Sequence, residues 1–478
     1  MPLSHDPSKP NTPLNPGDSI TLRLDSLAAA GEAVGRHDGL AVFVEYGAPG
    51  DLVRVRITHA AQRFARGTIE EVIEPGPDRV EAPCPYFGAC GGCQWQHIRY
   101  DAQVGAKKAI LRDSFARIAG VTLGNIGAAP MPDPWRYRSA AEYGVGRSDA
   151  PTGVVADGMG GGTTDQASGR SALGFLRARS NEVVPIADCL VQHPLNVEIM
   201  LAVDGWLGEN GAGSLWLVRT RTSFAERRAL VTFVFSEEDR AAEAMAQHLI
   251  RAVPDVAGVS AVAARDRRDQ HRRLSHHLVG DQFIFEEVAG RRYRIGPDTF
   301  FQVNPHQAAR MVELALQMAD AKPQDTVVDA YAGAGIFLAP LAERADRAIG
   351  IESNPAAVRD ARANLRRANL RNASVVHEKV ERALALMASE ARSRIGAARA
   401  KADVIILDPP RQGCGRQVMN AVAALEPRVV VMVSCDPATL ARDVALLRER
   451  GYEPRRSVMV DLFPQAWRIE SVTLCTRG

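Results

Sequence analysis

Four apolar runs in the C-terminal third each lead to a polar residue, and that repetition restricts the fold more than any other feature of the chain. Thr326 to Ala330, Arg347 to Ile351, Val404 to Leu407 and Arg428 to Val433 have the length and character of buried strands. Asp329, Glu352, Asp408 and Cys435 fall at their C-terminal ends. Helical stretches alternate with the runs, and Met311, Leu314, Ala315 and Met318 form one helix face just upstream. Such alternation predicts a doubly wound parallel sheet, and open sheets of that kind bind ligands at their carboxyl edge.

The segments around these residues carry chemistry. Asp329-Ala330-Tyr331-Ala332-Gly333-Ala334-Gly335 is a turn from strand to helix, with glycines that let the backbone approach a ligand. Glu352 ends the next strand, where a carboxylate accepts from ribose hydroxyls. A dinucleotide site is the alternative, but the G-x-G-x-x-G pattern is absent, because Leu338 follows Gly333 and Gly335. The short form with a preceding Asp fits S-adenosylmethionine better. Asp408-Pro409-Pro410-Arg411 sets a carboxylate on a stiff, extended turn, or is simply a rigid loop. Cys435, within Val433-Ser434-Cys435-Asp436-Pro437, is either a core thiol or a nucleophile at a strand tip. Further on, Asp461-Leu462-Phe463-Pro464 leads to Glu470, and a thiol with a carboxylate at a sheet mouth suggests covalent chemistry with proton abstraction.

The N-terminal half reads differently. Residues 1–16 are Pro-, Ser- and Asn-rich without an apolar signal core, and read as a disordered lead. In residues 17–78, Ile20, Leu22 and Leu24, then Val53, Val55 and Ile57, alternate with other residues, which predicts a small barrel of the oligonucleotide-binding type. Residues 79–290 form a central α+β region that includes a helical stretch near 101–120 and a Gly-rich loop, Gly153 to Gly169, expected to be mobile. Residues 291–478 hold the strand and helix alternation. Seven cysteines, three in Cys84-x5-Cys90-Gly91-Gly92-Cys93, fit a ligand loop better than a disulfide framework. Cys189 is the candidate fourth ligand, and spacing alone leaves zinc and an iron–sulfur cluster both open. Net charge is +2, so global charge announces no polyanion partner, and no run of about 18 apolar residues suggests a membrane span. The expectation is a cytoplasmic protein, and a monomer.

Together the blocks resemble the RNA 5-methyluridine methyltransferases, over nearly the whole chain. The resemblance rests on Phe300-Phe301-Gln302-Val303-Asn304, the Gly-rich turn, Asp408-Pro409-Pro410-Arg411, the Cys435 block with Leu440-Ala441-Arg442-Asp443, and Asp461-Leu462-Phe463-Pro464 with Glu470. It implies a TRAM barrel, a central domain with an iron–sulfur loop and a Rossmann-like S-adenosylmethionine-dependent methyltransferase domain. It further implies Cys435 as nucleophile and Glu470 as base. Gln302, Tyr331, Gly333, Gly335, Glu352 and Asp408 would bind the cofactor, and Cys84, Cys90, Cys93 and Cys189 a [4Fe-4S] cluster. The helix after the cluster would pack on the catalytic domain. Departures from the family pattern are Ala332, Ile336, Lys379, Asp436 and Arg468.

Carbon-5 of uracil is a poor nucleophile. Thiolate attack at carbon-6 makes carbon-5 nucleophilic enough to take a methyl group. A base then removes the carbon-5 proton so that the thiolate can leave. The target must leave its stack to enter such a site, which favours RNA loops or flipped nucleotides. Arg136, Arg138, Arg177, Arg179, Lys107 and Lys108 are candidates to track phosphates, as are Arg54, Arg56, Arg63 and Arg66 in the barrel. Trp135, Tyr137 and Phe175 are candidates to stack on bases. Members with both barrel and cluster often act on large-subunit ribosomal RNA, which makes 23S rRNA the expected substrate and transfer RNA the alternative. The rivals from other classes are a non-catalytic RNA-binding iron–sulfur protein and a zinc-bearing dinucleotide oxidoreductase.

Overall fold

The computed structural model describes residues 14–124, 126–148, 170–270, 273–392 and 402–478. The lead through residue 13 and the loop Gly153 to Gly169 lie outside the described residues. The chain forms two compact units. One contains the chain up to Leu111 together with Phe463–Arg468; the other contains Arg112–Leu462 and Ile469–Gly478.

The first unit is built on a closed barrel of β1 (Ser19–Leu27), β2 (Ala33–His37), β3 (Leu40–Val44), β4 (Leu52–Ala60) and β5 (Phe64–Glu74), in the order β1-β2-β3-β5-β4. Leu22, Leu24, Val42, Val44, Val53, Val55 and Ile57 fill it, which is the alternation expected of strands with one face inward. Helix α1 (Tyr100–Ser114) follows the cysteine loop and runs on, across the unit boundary, into a π-helical turn over Phe115–Ala119.

In the second unit, strands β6 (Ile126–Ala129), β7 (Ala140–Ser148), β8 (Arg170–Leu176) and β9 (Val183–Pro185) precede helix α2 (Pro194–Asn210). Then come β10 (Leu215–Thr222), β11 (Ala229–Phe235), α3 (Ala241–Ala252), β12 (Val256–Ala263), the short α4 (Arg267–Gln270) and β13 (His276–Gly280). These make a seven-stranded sheet ordered β13-β12-β11-β10-β7-β8-β9. A hairpin of β14 (Ile284–Val288) and β15 (Arg291–Ile295) leads into α5 (Pro305–Ala319).

The site stands on the eight-stranded sheet that follows. Its elements are β16 (Thr326–Ala330), α6 (Leu338–Ala342), β17 (Arg347–Glu352), α7 (Pro355–Arg367), β18 (Ala373–His377), α8 (Val380–Arg392), β19 (Val404–Leu407), α9 (Gly415–Ala424), β20 (Val429–Ser434), α10 (Pro437–Arg448), β21 (Tyr452–Val460) and β22 (Glu470–Arg477). The order is β18-β17-β16-β19-β20-β22-β21-β6. Strands β16 to β20 are parallel, as the alternation predicts. The sheet is nevertheless mixed, because β22 runs antiparallel to both β20 and β21. This corrects the all-parallel expectation, and β6 adds an edge from far upstream by pairing with β21. The sequence runs that end in Asp329 and Asp408 lie on neighbouring strands where the winding reverses, which is where open sheets form a crevice. Met311, Leu314, Ala315 and Met318 are buried in one core with Val327, Val404, Val431 and Val472, each large side chain contributing about 1.5–3 kcal/mol by burial. No helix among the described residues is long and apolar enough to cross a membrane.

Candidate active site

The turn after β16 is strained where the ligand would lie. Tyr331, Gly333 and Gly335 have φ of 69°, 54° and 88°. Left-handed backbone costs a non-glycine residue about 1–2 kcal/mol, so Tyr331 is held there by its surroundings. A Cβ on Gly333 would meet no atom within 4 Å, so its backbone angle, not crowding, makes glycine fit there. Glu352 closes the turn from the neighbouring strand. One of its oxygens accepts from the Gly333 amide (2.9 Å) and the other from the Asn354 amide (2.7 Å). Each keeps a lone pair for a hydroxyl.

Acids converge beside it. Asp329 is fully buried, and neither of its oxygens reaches a hydrogen-bond partner among the described residues. Burial and the charges of Asp408 and Glu352 hold its carboxyl well above the usual range; the Leu338 amide eases this only in part, too poorly placed for a full hydrogen bond. Burial pushes Asp408 up to about 7. An orphaned carboxyl among further acids fits a cationic ligand, and the sulfonium and ammonium of S-adenosylmethionine are of that kind. Tyr331 is bonded to the buried Cys414 thiol, and burial raises both above their ordinary values.

The register of two strands brings the thiol and carboxylate together. Val433 pairs with Val472 and Ser434 with Ser471, so Cys435 and Glu470 are the next opposed positions. Directly opposed residues present their side chains to one face. Glu470 is buried, and its carboxyl is raised well above the usual range by burial and by Asp408. The Cys435 thiol is pushed up to about 12 by burial, then by Glu470 and Asp408, against a pull from Arg411. By itself, then, the pocket favours Cys435 as a thiol and Glu470 as a neutral acid.

Neighbouring motif residues act as scaffolding. Asn304 caps α5 by accepting from the Gln307 amide (3.2 Å), and its Nδ2 donates to the Leu462 carbonyl (3.2 Å). Gln307 donates to the Ala129 (2.8 Å) and Asp461 (3.2 Å) carbonyls. Gln302 and Phe301 are buried, whereas Phe300 is 66% exposed. Asp443 accepts from the amides of Cys414 (2.7 Å) and Gly415 (3.1 Å), and Arg442 bonds both Asp443 and the Gln412 carbonyl (2.8 Å). The pair therefore pins the loop after Arg411 from mid-helix. Asp436 caps α10 through the amides of Ala438 (3.0 Å) and Thr439 (2.9 Å), which Asn can also do. Lys379 is exposed, and Ile336 is buried with its carbonyl accepting from Tyr293 (3.2 Å). Gln307 went unnoticed in the sequence because its value lies in contacts with residues over 150 positions away.

In the first unit, Cys84, Cys90 and Cys93 lie on one irregular loop, where the Gly92 amide faces Cys90 Sγ at 3.4 Å. His97 is buried, its Nε2 donates to the Gly47 carbonyl (3.1 Å), and burial pushes it down to about 4. Cys189 belongs to the second unit, beside Asp188 and Arg136. Among the described residues, no three His, Cys, Asp or Glu side chains are gathered as for a metal ion. An amide donating to sulfur suits a thiolate ligand.

Two candidate RNA contacts are corrected. Lys107 is buried and donates to the Phe463 carbonyl (2.9 Å); Tyr137 is buried as well. Arg136 is bound to Asp188 (2.7 Å), Arg177 to Glu182 (2.8 Å), Arg54 to Glu71 (2.7 Å), Arg66 to Glu32 (3.0 Å), and Arg56 to Glu70. Phe175 lies against Tyr143, ring centroids 4.9 Å apart.

A doubly wound crevice with a strained Gly turn, beside an opposed thiol and carboxyl, has the architecture of a group-transfer enzyme. Residues 229–477 match the tRNA (Uracil-5-)-methyltransferase family, and residues 13–69 the TRAM domain. An uncharacterized RNA methyltransferase of Halalkalibacterium halodurans is 30% identical, covering 98% of this chain and 99% of that protein. One from Thermosynechococcus vestitus is 33% identical, covering 96% and 98%. The crystal structure of Pyrococcus abyssi tRNA (uracil-54, C5)-methyltransferase with S-adenosyl-L-homocysteine has the same fold, with a TM-score of 0.69, 23% identity, and coverage of 95% of this chain and 99% of that one. The chain belongs to the tRNA (uracil-5-)-methyltransferase family, with an N-terminal TRAM barrel. It is an RNA (uracil-5-)-methyltransferase that depends on S-adenosylmethionine.

Proposed function

We propose that the chain methylates one uridine of 23S ribosomal RNA at carbon-5, with Cys435 as nucleophile and Glu470 as base. The observation that carries the assignment is the register that sets Cys435 opposite Glu470, beside Asp408 and the crevice. S-adenosylmethionine supplies an electrophilic methyl group. Gln302, Tyr331, Gly333, Gly335, Glu352 and Asp408 line its site, with Glu352 facing ribose hydroxyls. A cation among Asp408, Glu470 and Cys435 favours their charged forms, which offsets the resting preference for neutral ones. Cys435 Sγ bonds to carbon-6, which moves the ring electron pair to carbon-5; carbon-5 takes the methyl group as its bond to the sulfonium breaks and S-adenosylhomocysteine is released. The Glu470 carboxylate accepts the carbon-5 proton; the released electron pair restores the ring double bond and expels the thiolate. Phe300, exposed beside Gln302, offers a stacking face for a displaced base.

The organisation follows the same reading: barrel 17–78, central domain 79–290 and catalytic domain 291–478, acting as a monomer in the cytoplasm. Cys84, Cys90, Cys93 and Cys189 hold a [4Fe-4S] cluster with a folding and RNA-docking role, because the methylation needs no electron. The cysteine spacing and the amide directed at Cys90 support it. Anaerobic purification with iron and sulfide analysis tests it, and zinc without sulfide would reject it. The family resemblance that pairs barrel with cluster favours ribosomal RNA. Transfer RNA is the second reading, favoured by the likeness to a transfer RNA enzyme along nearly the whole chain. Labelled S-adenosylmethionine with either RNA lacking 5-methyluridine, followed by nuclease mapping, decides between them. Label confined to transfer RNA would replace the ribosomal assignment.

A further inference from the structure

The six residues Phe463–Arg468, which lead from Leu462 into Ile469 and Glu470, belong to the first unit, although the chain on both sides belongs to the second. Their attachment is dense. The Gln465 carbonyl accepts from the amides of Gln94 and Trp95, both at 3.0 Å. Gln465 and Gln103 form a reciprocal pair: Gln103 Nε2 donates to Gln465 Oε1 (2.9 Å), and the Gln465 amide donates to Gln103 Oε1 (3.1 Å). Lys107, one turn along α1 on the same face, donates from Nζ to the Phe463 carbonyl (2.9 Å) and lies 5.7 Å from the Trp95 ring centroid. Gln103, Lys107 and Gln465 are all buried. Trp467 covers Gly31 so closely that a Cβ there would meet its ring at 2.8 Å. Gln465 holds a φ of 66°, a conformation a non-glycine residue keeps only when its neighbours impose it.

Burying an ammonium and two amides is costly unless their bonds are made; Lys107 bonds this segment, and Gln103 divides its bonds between Gln465 and the carbonyls of Trp95 (3.0 Å) and Ile98 (2.8 Å), which ties the segment to the loop before α1. A segment needed only for closure would not require them. Glu470 stands two residues beyond it, at the first position of β22, where one strand residue sets the direction of its carboxyl. We infer that Gln103 and Lys107 are positioning residues for Glu470: by clamping Phe463–Arg468 they fix the approach of the proton acceptor to carbon-5. The inference rests on the assignment of Glu470 as base. It separates the reaction into two parts. Cys435 attack and methyl transfer draw on β20 and the crevice, whereas proton removal depends on the clamp. A displacement of about 1 Å at a reacting group can cost roughly 10²-fold in rate.

The test uses the full-length protein, labelled S-adenosylmethionine and substrate RNA. Lys107→Met and Gln465→Ala are compared with Glu470→Gln. The readouts are S-adenosylmethionine affinity, turnover, and the fraction of RNA migrating with protein on a denaturing gel. The expected result is near-normal cofactor affinity, turnover lowered roughly 10²-fold, and an accumulated methylated protein–RNA adduct. Adduct and product falling in proportion, or turnover unchanged, would overturn the clamp. Should Lys107→Met fail to fold by circular dichroism, Gln465→Ala, made on the loop side, decides alone. If Glu470→Gln traps adduct but the clamp variants do not, the base assignment stands and the inference fails. If Glu470→Gln traps none, the base assignment itself fails and takes the inference with it.

Discussion

The two halves of the site are made in different ways. The crevice turn is one contiguous stretch, Asp329 to Gly335, closed by a carboxylate from the adjacent strand, and its strain is local. The Cys435 and Glu470 pair is assembled from strands joined by a long excursion through α10, β21 and the clamped segment. A local site tolerates change elsewhere in the fold. An assembled one depends on every contact that holds its strands in place, and here those include Asn304 and Gln307, which bond the Leu462 and Asp461 carbonyls.

This contrast can be broken most sharply at Cys435. Cys435→Ala is expected to abolish methylation, by roughly 10⁴-fold or more, while S-adenosylmethionine affinity measured by calorimetry stays unchanged. Loss of cofactor binding would mean that the halves are not separable. Glu470→Gln should lower turnover by about 10²–10⁴-fold and trap a denaturant-stable adduct; a free RNA band with activity lost would remove Glu470 as base.

The contiguous half is probed by Gly333→Ala. Its left-handed backbone costs any side chain about 1–2 kcal/mol, so weaker cofactor binding or a lower Tm is expected, with register-dependent steps intact. Between the halves, Asp408→Asn reads the shared acid cluster. Asp408 in the folded state titrates near 7, above its ordinary 3.8. The folded protein therefore keeps a proton that the unfolded chain has released. The stability this contributes is full below pH ~4 and is lost as pH rises through ~7. Thermal melts should show Asn gaining on the wild type between pH 4 and 8; a constant difference would mean that Asp408 is not raised. Smallest of all, Asp436→Asn should alter stability by under about 0.5 kcal/mol, since both residues cap α10 equally well, and a large loss would give the carboxylate a role in the chemistry.

The chain's own order of residues determined the parallel strands β16 to β20, the barrel alternation and the identity of each polar residue at a strand end. Those depend on periodicity and on side-chain chemistry within a few positions, which a single stretch of sequence contains. Tertiary structure alone decided the rest. It ran β22 antiparallel between β20 and β21, added β6 as an edge, and buried Lys107 where a helical basic residue suggests a solvated phosphate contact. It also turned Arg442 and Asp443 to holding a loop. Register, burial and hydrogen-bond partners across hundreds of residues arise from packing between distant segments. A charge or an amide in the sequence has no fixed meaning until the fold supplies, or withholds, its partner.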